Sequence, residues 1–217
     1  NTLPPEDWIK CRAFSFMVSL LHFDKLMQIP AILLNVICGI RYKDLVKAVM
    51  RASSPVLSQA TNFFFDKARD IQNGGAEYCE SEEWLKIFWP ADEFFFIKLV
   101  KEKLLGTFYE ESLDLITDML RSHGYSEFEA LLEEAFRFNE KLIKIPFVNA
   151  DLDVHLNYNI WDVYRANLIG ENIELEQGEY NHTIDRRSCT WDSWDRWYRE
   201  VVWYGNKKGA YLYKLVK

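Results

Sequence analysis

Apolar residues recur three and four positions apart through the first two thirds of the chain, the spacing of one face of an α-helix. The first such segment starts at Pro4 and Pro5. It has acidic residues in its first turn, where they favour the positive end of the helix dipole. Further helices are predicted over residues 30–39, 42–50, 54–71, 81–89 and 91–105, and between residue 107 and Gly124.

Two of the later helix starts are predicted from a local pattern. At residues 107–110 and 126–129 a hydroxyl side chain stands three positions before a glutamate. This is the capping-box arrangement, in which the two side chains accept hydrogen bonds from free backbone amides of the first turn. Ser54 before Pro55 is read in the same way, as a cap followed by proline at the first helical position.

The pattern changes after Pro146. Apolar and polar residues alternate over 152–158 and 180–184, which predicts half-buried strands, and short helices are predicted over 160–169 and 191–204. The predicted fold class is therefore mainly α: a helical region over residues 1–145, then a smaller, aromatic-rich α+β region over residues 146–217. We expect the two regions to share one core.

Composition limits the possible partners. Hydrophobic residues make up 49% of the 217-residue chain and aromatic residues 16%, enough to bury a sizeable core. The net charge of −7 argues against nucleic-acid binding and against docking on anionic lipid. The uncharged run over 26–40 is too short to cross a bilayer. We therefore expect no nucleic-acid partner and no membrane span.

The four cysteines stand far apart, at positions 11, 38, 79 and 189, so no CxxC pair is present for zinc binding or redox chemistry. We interpret them as reduced and mostly buried thiols, as expected of a cytoplasmic protein. The alternative is a secreted protein with disulfides, in which Asn181 would be a glycosylation site because Thr183 follows it.

No catalytic motif is complete. The glycine patterns of nucleotide loops and the GxSxG pattern of serine hydrolases are absent from the sequence. Asp153 and His155 resemble the start of the DxHxxG loop of cobalamin proteins, but Tyr158 replaces its glycine. In a strand the two side chains simply share the solvent face. We therefore predict no catalytic residue and no metal ligand in this chain.

Aromatic and basic residues are concentrated in the last third of the chain. Trp191, Trp194 and Trp197 are three apart, so a helix would place them in one stripe. One interpretation is an aromatic face with a basic rim that binds a ligand or a partner protein. The other is an aromatic core sealed by ion pairs such as Asp185 with Arg186. The predicted ligand-binding residues are Trp161, Arg165, Trp194, Trp203, Tyr204, Asn206 and Lys207.

Two segments resemble the helical C-terminal region that follows the radical domain in cobalamin-binding-type radical SAM proteins. The first is residues 8–45, which contain the sequence HFDK at 22–25 and QIP at 28–30. The second runs from WDSW at 191–194 through VWYGNKKG at 202–209. The cysteine spacing departs from that family, whose CxxxCxxC trio binds a 4Fe–4S cluster and, through it, S-adenosylmethionine.

The resemblance implies an accessory C-terminal domain that is not catalytic alone and that contributes to substrate recognition or active-site cover. A longer parent would carry the 4Fe–4S cluster, S-adenosylmethionine and cobalamin, and the start at Asn1 fits a piece of such a parent. The partners would be the rest of that polypeptide and a small-molecule substrate. The alternatives are a free-standing binding module with a Trp-rich face and a small independent hydrolase or transferase.

Overall fold

A computed structural model describes residues 3–203 and 211–216 of the chain. The helices are α1 (Pro5–Val18), a first π-helix (Ser19–Phe23), α2 (Gln28–Cys38), α3 (Tyr42–Val49), α4 (Pro55–Gln72), α5 (Ala91–Lys101), α6 (Leu105–Ser122), a 3₁₀ turn (Ser126–Phe128), α7 (Glu129–Leu142), α8 (Ile160–Leu168), α9 (Trp194–Trp197) and a second π-helix (Tyr198–Trp203). The strands are β1 (Cys79–Glu80), β2 (Phe88–Trp89), β3 (Leu152–Tyr158), β4 (Gln177–Asp185) and β5 (Lys214–Val216).

Both sheets are small and antiparallel. Strands β1 and β2 form a two-stranded hairpin, and the other three form a sheet in the order β3–β4–β5. Val154 lies opposite His182, and the register shifts between Leu156 and Tyr158. The prediction of a mainly α protein with a smaller α+β region near its C-terminus is confirmed.

The helix predicted over residues 81–89 is wrong. This segment is a turn between β1 and β2, and Leu85 and Lys86 both have positive φ, which a helix does not allow. Trp84 and Trp89 explain the difference, because both indoles are buried and Trp89 Nε1 donates to the carbonyl oxygen of Trp84 at 3.0 Å. Tertiary burial of two large side chains therefore outweighs the local helical pattern.

The predicted side-chain caps at the starts of α4 and α6 are also wrong. Ser54 makes no capping hydrogen bond; instead, the Glu111 carboxylate on α6 accepts from the backbone N–H groups of Val56 and Leu57, each at 2.9 Å. Helix α6 begins at Leu105, two residues before Thr107, and has no side-chain cap. A carboxylate brought in from another helix satisfies the free amides of α4 that a local serine would have satisfied.

The capping box predicted at residues 126–129 does not form either. Ser126 starts a 3₁₀ turn, and α7 begins only at Glu129, without a side-chain cap. By contrast, the end of α2 follows the prediction. Gly39 lies just after the helix in the left-handed region (φ 64°), and its N–H donates to the carbonyl oxygen of Asn35 at 3.0 Å.

A single apolar cluster contains buried residues from both the helical part and the C-terminal part of the chain. Backbone hydrogen bonds also join the two. Lys144 N–H donates to the carbonyl oxygen of Tyr211 at 2.9 Å, and Tyr213 N–H donates to that of Leu142 at 2.7 Å. The segment before β5 therefore packs against the end of α7. The boundary between residues 145 and 146 stays a prediction.

A fully buried asparagine on α7 holds the connection between the first π-helix and α2. Asn139 Oδ1 accepts from Ile29 N–H at 3.1 Å. The two hydrogens of Nδ2 are shared among three acceptors, the carbonyl oxygens of Lys25 and Leu26 at 2.9 and 3.2 Å and the Tyr109 hydroxyl at 2.8 Å. These bonds fix a turn in which Lys25 adopts a positive φ of 65°. Residue 24 directly precedes this turn, and its N–H donates to the carbonyl oxygen of Ser19 at 2.8 Å.

Among the described residues, no single helix is long and apolar enough to cross a membrane. One pair of helices, Pro5–Phe23 with Gln28–Cys38, reaches the required length and hydropathy only when taken together, and it is bent by 93°.

Candidate functional site

The structure separates the predicted ligand-binding residues into two places. Trp161 and Arg165 lie on α8, where the Trp161 ring contacts Phe138 and Tyr164 at centroid distances of 6.0 and 5.2 Å. Trp194 stacks on the ring of Tyr198 at 5.9 Å in another part of the molecule. Among the described residues, no ring contact joins the α8 pair with Trp194 or Trp203. Tyr204, Asn206 and Lys207 lie outside the described residues.

Trp194 and Trp203 belong to one chain of ring contacts. Tyr198 contacts Trp194, and Trp89 contacts both Tyr198 and Trp203 at centroid distances of 6.3 and 6.4 Å. Trp89 and Tyr198 are almost completely buried, and Trp194 and Trp203 are partly buried. This packing favours the aromatic-core interpretation over an open aromatic face.

The predicted stripe of three tryptophans on one helix is wrong. Helix α9 begins at Trp194, after the N-cap Ser193, so Trp191 lies before the helix. Its indole is buried and donates to the Glu200 carboxylate at 2.8 Å, whereas Trp197 Nε1 donates to the carbonyl oxygen of Lys144 at 3.0 Å. The indole N–H groups of Trp191 and Trp197 thus donate to different partners.

The ion pair suggested to seal this region also differs from the prediction. Arg187, not Arg186, forms the salt bridge, and its acid is Asp151 at 2.8 Å. Asp185 instead accepts from the backbone N–H of Ser188 at 3.0 Å. The two acids therefore hold the turn after β4 from both sides.

Sequence reasoning missed a buried group of three carboxyl side chains at the start of α5. Asp24 follows the first π-helix and is fully buried, and Asp92 and Glu93 in the first turn of α5 are 7% and 4% exposed. Both π-helices pack against α5, so this group lies where two parts of the chain far apart in sequence come together. We call Asp24, Asp92 and Glu93 the carboxyl cluster.

The three acids of the carboxyl cluster differ in how they are satisfied. Asp92 accepts from backbone N–H groups in the first turn of α5 and from Ser19, with the Arg12 guanidinium nearby. The Tyr211 hydroxyl donates to the carbonyl oxygen of Val202 at 3.3 Å and lies close enough to Asp24 to oppose, in part, the rise of the pKa of that carboxyl. Neither carboxyl oxygen of Asp24 therefore has a well-formed hydrogen bond within the described part of the chain.

Burial raises the pKa of Asp24 well above its ordinary value, and the nearby charges of Asp92 and Glu93 raise it further. Burial also raises the pKa of Asp92, although its backbone hydrogen bonds oppose the shift. A buried carboxyl with these neighbours keeps its proton to a higher pH than an exposed one, because an isolated charge without a partner is costly to bury. Asp24 can therefore hold a proton inside the fold.

The surroundings of Asp24 are unusual in their backbone as well. π-helices are rare, short, and found frequently at functional sites. Here one ends immediately before Asp24, and the other, Tyr198–Trp203, also packs against α5. We therefore take the carboxyl cluster and the two π-helices as the candidate functional site.

The chain's cysteines do not fit an iron–sulfur cluster. Cys11 is exposed, Cys38 is buried, and Cys79 and Cys189 are partly buried, and no group of three metal-ligating side chains occurs within residues 3–203 and 211–216. Burial raises the pKa of the Cys79 thiol to about 11, which disfavours the thiolate that metal binding requires.

No protein-family model matches the sequence, and no curated protein matches it.

Proposed function

We propose that this chain is an accessory domain of a radical SAM enzyme, not catalytic by itself, that contributes to substrate recognition or to the cover of the active site. The cofactors of the reaction, a 4Fe–4S cluster, S-adenosylmethionine and cobalamin, would belong to the rest of the polypeptide. The proposal includes a cytoplasmic location, which four unpaired cysteines support.

The proposal is supported by the packing of the two family-like segments against one helix, α5. The first π-helix and Asp24 belong to residues 8–45, and the second π-helix belongs to residues 191–209. Both pack against α5, although they are more than 150 positions apart in the sequence. Segments that resemble the same family region and that share one packed centre are expected to act as one unit.

The reading frame of the gene gives the first test. We expect a radical domain with a CxxxCxxC motif in the same frame, upstream of the codon for Asn1. A start codon close to Asn1 with no such domain upstream would contradict the proposal and favour a free-standing module.

Iron binding gives the second test. After anaerobic reconstitution with ferrous iron and sulfide, the 217-residue chain should show no iron–sulfur absorbance, whereas the full-length parent should show it. The matched control is the parent with its three motif cysteines replaced by alanine, which should lose the band. An iron–sulfur band from the 217-residue chain alone would overturn the proposal.

A further inference from the structure

An open pocket lies on the first family-like segment, on the side of the π-helix where His22 points. It has a volume of about 340 Å³, within the range of small-molecule sites. Its wall is formed by α1, the first π-helix, α2 and α3, and the lining residues are Phe14, Val18, Leu21, His22, Ala31, Tyr42, Lys43, Leu45 and Val46.

Most of this lining is apolar. Leu21, Ala31, Leu45 and Val46 are buried and Val18 is partly buried, so an apolar ligand would replace water against side chains that already belong to the core. A pocket of this kind binds the apolar body of a small molecule, and the few polar groups at its edge fix the orientation and the charge of that molecule.

The polar groups of the pocket consist of two neutral side chains and one cation. Burial and the nearby charge of Lys25 lower the pKa of His22, so its imidazole is neutral at pH 7. Burial raises the pKa of Tyr42, which keeps its hydroxyl protonated. Lys43 is exposed and is the charged residue among those lining the pocket, whereas the adjacent Asp44 is paired with Arg41 at 2.6 Å.

We propose that this pocket binds a small amphipathic anion, with an aryl or alkyl body in the apolar part and a carboxylate close to Lys43. An anion is favoured over a cation because no acid is among the described residues that line the pocket and a lysine lies at its edge. The assignment of this anion as the enzyme's substrate rests on the proposed function, but the binding itself does not.

The test compares three probes that share one apolar body: phenylbutyrate, phenylbutanol and phenylbutylamine. Binding to the 217-residue chain is measured by titration calorimetry at pH 7. We expect phenylbutyrate to bind about threefold more tightly than the alcohol, as one exposed ion pair allows, and the amine to bind most weakly. Equal affinity for all three probes, tightest binding of the amine, or no binding at millimolar concentration would overturn the proposal.

Substitutions at the edge of the pocket and inside it test which residues bind the probes. Lys43→Glu should remove the preference for phenylbutyrate over the alcohol. Lys47→Glu makes the same charge change on the same helix, but Lys47 is exposed and lines a different groove, so the preference should stay. An equal loss in both variants would overturn the role of Lys43.

Val18→Trp should block all three probes by filling the pocket, with circular dichroism as the check of folding. Unchanged binding would place the ligand elsewhere. If Val18→Trp does not fold, the pair of lysine variants still decides the outcome.

Loss of phenylbutyrate binding in the full-length parent would overturn a small-molecule site as well, because the parent's own chain would then cover the pocket. Failure of this experiment leaves the reading-frame and iron tests unaffected.

Discussion

Two buried polar side chains belong to or contact the connection between the first π-helix and α2, and their hydrogen bonding differs. Asn139 is fully buried and uses both ends of its amide in four hydrogen bonds. Asp24 is equally buried, has no well-formed hydrogen bond within the described part of the chain, and lies beside two more acids. A satisfied buried polar group stabilises the fold, whereas an unsatisfied one costs stability.

This difference in hydrogen bonding distinguishes a buried residue with a structural role from a candidate functional residue. Asn139 has a complete structural explanation, because it holds three backbone groups of the connection in place. Asp24 has none, and buried unsatisfied groups in native proteins are rare enough to require an explanation of their own. Among the described residues that have a buried polar atom without a hydrogen bond, Asp24 is the only one with a carboxyl group, and both of its oxygens are affected. Asp24 is therefore the residue of the candidate site on which experiments should concentrate.

The largest expected effect comes from replacing Asn139, the buried side chain whose hydrogen bonds are satisfied. Asn139→Ala leaves the Ile29 N–H and the carbonyl oxygens of Lys25 and Leu26 without their partner, and it should lower the free energy of unfolding by about 2–4 kcal/mol. Urea denaturation measures this change. The control Asn62→Ala alters an exposed helical asparagine and should change stability by less than about 0.5 kcal/mol. If Asn139→Ala and Asn62→Ala changed the free energy of unfolding by similar amounts, the hydrogen bonds of Asn139 would not stabilise the fold and its contrast with Asp24 would be lost.

The next effect is a pH dependence of the protein's stability that comes from Asp24. The unfolded chain loses the proton of Asp24 at the ordinary pKa, whereas the folded protein loses it only at the raised pKa, so the folded state binds more protons between the two. Stability should therefore fall as pH rises above the ordinary pKa of an aspartate and until it reaches the raised pKa of Asp24, by up to about 1.4 kcal/mol per pH unit from this one proton. The charged and titratable groups around it are Asp92, Glu93, Tyr211 and, beside Asp92, Arg12.

Asp24→Asn should make this slope shallower, because the amide cannot ionise. Some slope should remain, since the raised pKa of Asp92 acts in the same direction. Asp114→Asn, at an exposed position on α6, should leave the slope as it is in the wild-type chain. Urea denaturation at a series of pH values gives the comparison, and identical slopes for wild type and Asp24→Asn would show that Asp24 is ionised in the folded protein.

The smallest expected effect tests the far end of the same connection. The Tyr164 hydroxyl donates to Gln28 Oε1 at 2.6 Å, and Lys25 Nζ donates to the same oxygen at 2.9 Å. Tyr164→Phe removes one of these two bonds, so stability should fall by about 0.5–1.5 kcal/mol. The control is Tyr78→Phe at an exposed position, for which no loss is expected. A loss above that of Asn139→Ala would show that α8, rather than α7, holds the connection.

Much of the fold could be predicted from local patterns. The spacing of apolar residues indicated the helices up to Gln72, and the alternation after Pro146 indicated β3 and β4. The failures occur where distant residues decide the local structure. The turn before Trp89 is set by the burial of two indoles, and the start of α4 is capped by Glu111 from another helix. Neither contact leaves a signal in the neighbouring sequence.

The candidate site was less predictable than the fold. Trp194 and Trp203 were identified from their density of aromatic neighbours, and they do lie in one chain of ring contacts. The carboxyl cluster was not identified, because Asp92 and Glu93 look like ordinary acids at a helix start and Asp24 like a charge between helices. Only packing against the two π-helices buries them.

The sequence by itself determined the class of fold, the separation into a helical and an aromatic-rich part, and the absence of a cysteine trio, because these depend on periodicity, composition and spacing. The tertiary structure decided which polar residues are buried and whether they are satisfied. That outcome depends on free energies between residues far apart in sequence: 68 positions separate Asp24 from Asp92, and 114 separate Lys25 from Asn139. A local pattern contains no information about such a pair until the chain has folded.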